Sequence, residues 1–86
     1  MFTLQVTTTN NINLVTATLE NITLADAIII ADRQADIAKG LLHPKTLELC
    51  GAVNVFISSS VLGGFVATFT DGEWEVDVNA AELALL

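Results

Sequence analysis

The sequence predicts an α+β domain: an antiparallel sheet in the order β-β-α-β-β-β, with one main helix packed on one face. Three observations predict it. Phe2, Leu4 and Val6 alternate with Thr3, Gln5 and Thr7, the period of two that marks a half-buried strand. Thr23 to Lys39 carries an apolar stripe at helical spacing. Asp71-Gly72 lies between two alternating runs and favours a two-residue hairpin turn, because both central positions of a type I′ turn need positive φ.

The first strand ends at Thr9-Asn10-Asn11, where asparagine tolerates left-handed backbone and bonds to its neighbours. A second strand from about Ile12 to Leu19 sets Val15, Ala17 and Leu19 on one face and Thr16, Thr18 and Glu20 on the other, so the first twenty residues read as a hairpin. Thr23 then caps a helix, with Asp26 in its first turn where the dipole favours negative charge, and Gly40 stops it. Leu24, Ala27, Ile28, Ala31, Ala35 and Ala38 share one stripe. Its small side chains let the helix lie close to the strands.

Leu41 to Cys50 is ambiguous, since His43-Pro44 disfavours a continuing helix. Strands resume at Ala52, with Val53, Val55 and Ile57 on one face, and Gly63-Gly64 turns the chain into a strand from Phe65 to Thr70. The last strand runs from Glu73 to Val78. The two-residue turn pairs Phe69 with Trp74, Ala67 with Val76 and Phe65 with Val78, which places all six on the core face. Asn79 and Glu82 form a capping box for a final helical turn.

The 86 residues are read as one domain, residues 1–86. Apolar residues make up 52% and charged residues 15%, which excludes disorder but leaves little polar surface, so some apolar area is expected to stay exposed. The formal charge of −7 sets ten acids against Arg33, Lys39 and Lys45. Without a basic patch, direct binding of nucleic acid is not expected, and a basic protein partner is. Cys50 is the single cysteine, so no intrachain disulfide forms and a reducing, cytoplasmic setting is expected. No secretory signal is visible at Met1-Phe2-Thr3. Leu49 to Thr70 lacks charge, but Asn54, Ser58, Ser59, Ser60, Gly63 and Gly64 point to two buried strands rather than a membrane span.

No catalytic, cofactor or metal site is expected. His43 and Cys50 make neither a triad nor a zinc ligand set, and Gly63-Gly64 lacks the helix and lysine of a phosphate loop. Two surfaces stand out instead. Glu73, Glu75 and Asp77 occupy alternate positions ~6.8 Å apart, all turned from the core, opposite Thr70, Thr68 and Val66. They read either as a solubilising face or as a contact surface for a basic partner. Ile30 and Ile37 lie on the back of the helix beside Arg33, either under the Leu41–Leu49 segment or at a homodimer or partner interface. The terminal leucines Leu83, Leu85 and Leu86 either tuck into the core edge or dock on a partner.

In size, acidity and hairpin-helix-sheet order, with Thr23-Leu24-Ala25-Asp26-Ala27 followed by the Asp71-Gly72-Glu73-Trp74 hairpin, the chain resembles small phage-encoded inhibitor proteins such as anti-CRISPR proteins. The likeness is one of type and carries no residue over. It implies inhibition by occupying a basic surface on a nucleic-acid-handling protein complex. The expected function is thus a non-enzymatic interaction module, an inhibitor or adaptor. The rival is a self-assembling subunit or dimer.

Overall fold

The computed structural model describes residues 1–41, 46, 48 and 51–86. His43, Pro44 and Cys50 lie outside the described residues, as does most of the ambiguous Leu41–Cys50 segment. The elements are β1 (Phe2–Thr8), β2 (Asn13–Leu19), α1 (Leu24–Lys39), β3 (Val53–Ser59), β4 (Gly64–Thr70), β5 (Glu73–Val76) and α2 (Ala80–Leu83). The strands form one five-stranded sheet in the order β2-β1-β3-β4-β5, with every neighbouring pair antiparallel. This is the expected α+β architecture.

The β1–β2 turn closes because the Thr8 N–H donates to the Ile12 carbonyl at 2.9 Å and the Asn11 N–H to the Thr8 carbonyl at 3.0 Å. Asn11 takes φ 64°, a left-handed value that asparagine accepts. From Val6↔Val15 to Phe2↔Leu19 the pairing is regular. It then shifts to Thr7↔Asn13, leaving Leu14 as an extra residue, a β-bulge.

Thr23 caps α1 as expected, its Oγ1 accepting from the Asp26 N–H at 3.2 Å. Gly40 ends the helix with φ −85°, so it stops the helix without using the left-handed freedom that glycine offers. The buried stripe is Leu24, Ala27, Ala31, Ala35 and Ala38. Alanine at four of these five positions lets α1 lie close over β1 and β3, with lesser contact to β2. Opposite it, Leu4, Val6, Val55 and Ile57 are fully buried. Each such aliphatic side chain contributes about 1.5–3 kcal/mol by leaving water.

Ser59 organises the turn after β3, its buried Oγ accepting from the N–H groups of Val61 at 3.1 Å and Leu62 at 3.3 Å. Gly63 follows with φ 75°. Between β3 and β4 the register runs Val55↔Phe69 and Ile57↔Ala67, then shifts to Ser58↔Phe65. Val66 is therefore a bulge residue, and Val66 and Ala67 are both buried although adjacent. This corrects the expected position of Phe65: the bulge turns it away from the core and leaves it 60% exposed.

Asn79 and Glu82 form the expected capping box, the Glu82 N–H donating to Asn79 Oδ1 at 2.8 Å and the Asn79 N–H to Glu82 Oε1 at 3.3 Å. Leu86 packs against the core, in a groove shared with Leu83 and residues 22–25 at the start of α1, while Leu83 and Leu85 are exposed. Among the described residues no helix is long and apolar enough to cross a membrane.

Candidate functional site

The β4–β5 hairpin orients the acidic row. Asp71 and Gly72 take φ 53° and 80°, the pair of positive values a type I′ turn demands. The register is Thr70↔Glu73, Phe69↔Trp74, Thr68↔Glu75 and Ala67↔Val76, as the turn length requires. Trp74 faces α1: its ring lies 5.3 Å from that of Phe69, and its Nε1–H donates to Asp32 Oδ1 at 3.4 Å. Lys39 Nζ stands 5.8 Å above the Phe69 ring. Because Trp74 points to the helix side, Glu73 and Glu75 point to the other, where neither helix lies.

Asp77 occupies the next alternate position, but β5 ends at Val76, two residues short of the expected Val78. The Asp77 N–H donates to the carbonyl of the bulged Val66 at 2.9 Å, which anchors the acidic row one step past the strand. Val78 packs partly against the core from the following loop. Glu73, Glu75 and Asp77 are all exposed. The ion pair found among the described residues is Lys39–Asp36 at 3.5 Å, on the helix, so no described cation neutralises the row.

Next to the acids lies an apolar centre. Phe56 of β3 is half-buried on the outer face, and the outturned Phe65 packs on it with ring centroids 5.5 Å apart. Gln5, Phe56, Thr68 and Glu75 follow one another across β1, β3, β4 and β5, so aromatic and acidic groups share a single surface. A shallow cleft of about 390 Å³ opens beside Phe65, between Thr3, Ser58 and Ser60. Sequence periodicity missed Phe65. The available signal was the unbroken apolar run Phe65-Val66-Ala67 next to Gly64, which interrupts alternation as a bulge does.

The residues expected at an oligomer interface lie elsewhere. Ile37 is 59% exposed, Arg33 is exposed and Ile30 is half-buried. Ile29, also on the outer side of α1, is 53% exposed. The sheet separates this patch from the acidic face. Among the described residues no group of three or more His, Cys, Asp or Glu is placed to hold a metal ion. No protein-family model, curated protein or solved structure matches the chain.

Proposed function

We propose that the chain is a non-enzymatic protein-interaction module that occupies a basic surface of a nucleic-acid-handling complex and inhibits it, in a reducing, cytoplasmic setting. One observation carries this reading. Glu73, Glu75 and Asp77 are exposed on a hairpin whose register is fixed, with no described cation within ion-pair distance. A preset row of carboxylates needs little ordering beyond its own rotamers when it meets lysines or arginines, so the cost of association is low. Phe65 and Phe56 add the aromatic patch that interfaces favour. The type of the chain, small and acidic like phage-encoded inhibitors, agrees.

Affinity capture from the native host, run side by side with the parent chain and a Glu73→Lys, Glu75→Lys variant, tests the reading. A basic protein retained only by the parent supports it. Identical retention by both places the contact elsewhere.

Self-assembly as a dimer or particle subunit is the second reading, favoured by Ile37 and Ile29 standing more than half exposed near Ile30 and Arg33. Ionic strength separates the two, because screening weakens contacts between charges and leaves apolar contacts largely intact.

A further inference from the structure

We infer that two copies of the chain pair antiparallel through the free edge of β2, joining their sheets into one; this deepens the self-assembly reading and rests on it. The sheet has two edges of opposite character. β5 is four residues long and carries Glu73 and Glu75, with Asp77 following, features that discourage strand addition. β2 is seven residues long and contains neither a charge nor a proline. Its bulge at Leu14 disturbs only the first part, Val15 to Leu19 pairs regularly with β1, and among the described residues no strand pairs with its outward edge.

That regular stretch reads Val-Thr-Ala-Thr-Leu, nearly the same in both directions. A two-fold axis at Ala17 sets Val15 of one copy opposite Leu19 of the other, and Thr16 opposite Thr18. Apolar then meets apolar on the helix side and threonine meets threonine on the outer side, the self-complementarity that an isologous contact requires. Val15, Ala17 and Leu19 are only half-buried although they face the helix side, so the second copy supplies cover they lack.

Charge selects the same occupant. Each chain carries −7, so two copies meet with least repulsion through an uncharged surface such as the β2 edge. Joining at β2 leaves the two acidic β5 strands at the far ends of a sheet of ten, ~43 Å apart at ~4.8 Å per strand. That is several times the screening length of ~8 Å. Asp32 and Lys39 mark the flank of α1 above β4 and β5, so helical spacing sets Ile30 on the opposite flank, the one toward β2.

The test is mass in solution by light scattering over about a hundred-fold range of concentration. The parent should approach twice the 9.1 kDa of one chain. Thr16 and Thr18 are both exposed, so Thr16→Lys with Thr18→Lys should stay folded by circular dichroism. It should raise the dimer dissociation constant about a hundred-fold or more, since it sets like charges directly opposite. Thr16→Glu with Thr18→Glu should do the same, and an equal mixture of the two variants should restore the dimer. A parent that stays monomeric throughout overturns both the edge contact and the self-assembly reading. A lysine variant that stays dimeric, or a mixture that stays monomeric, overturns the edge contact alone and leaves the helix patch as the route to assembly.

Discussion

Trp74 of β5 donates its indole N–H to Asp32 of α1 at 3.4 Å, a bond between residues 42 positions apart in the chain. It ties the edge strand to the helix that covers the other side of the sheet, and with the Phe69 ring it fixes which way β5 faces. The outward direction of the carboxylates at Glu73 and Glu75 follows from that inward direction of Trp74.

Trp74→Ala should therefore cost about 2–4 kcal/mol, at the lower end for a large aromatic because the ring is half-buried. Trp74→Phe should keep most of the packing and lose the bond to Asp32, about 0.5–1.5 kcal/mol. Urea unfolding followed by circular dichroism measures both. Equal losses for the two variants would assign the whole effect to the hydrogen bond.

Phe65 separates the bulged register from strict alternation. A core phenylalanine cut to serine would cost several kcal/mol, whereas the exposed Phe65 should lose about 1 kcal/mol or less, mostly its contact with Phe56. The same Phe65→Ser change should weaken partner capture. A stability loss above about 3 kcal/mol would return Phe65 to the core face.

Ala31 is fully buried where α1 approaches the sheet. Ala31→Leu should destabilise by about 1–3 kcal/mol through overpacking, despite the added apolar surface. Thermal unfolding reports it, and a gain in stability would show that the helix does not lie close to the strands.

Gly72 holds φ 80°, and a Cβ built there meets nothing within 4 Å. The cost of Gly72→Ala is thus conformational alone, about 1–2 kcal/mol for a left-handed alanine. The urea midpoint should fall with its slope unchanged.

Much of this fold was legible because local signals agreed over long stretches. The α1 stripe, the Thr23 and Asn79 caps and the Phe69–Trp74 register all rest on interactions within a few residues, or across a turn whose length sets the pairing. The bulges at Leu14 and Val66 were not legible. A bulge shifts every residue beyond it to the other face, and the choice of which residue to leave unpaired depends on packing between strands distant in sequence. Of the candidate site, the acidic residues were readable from alternation on β5, while their aromatic neighbour Phe65 was hidden by the Val66 bulge. Ile30 and Ile37 were correctly separated from the buried stripe, yet helical spacing cannot say that Ile30 is half-buried and Ile37 open.

The association rate of the captured partner, measured at rising ionic strength for the parent and for Glu75→Lys with Asp77→Lys, decides whether the acidic row is a contact surface. Both positions are exposed, so circular dichroism of the variant should match the parent. The parent should associate fast at low salt and slow steeply as salt rises, and the variant should associate about ten-fold or more slowly with a flattened salt dependence. A folded variant that matches the parent in rate, affinity and salt dependence would reduce the acidic row to a solubilising face.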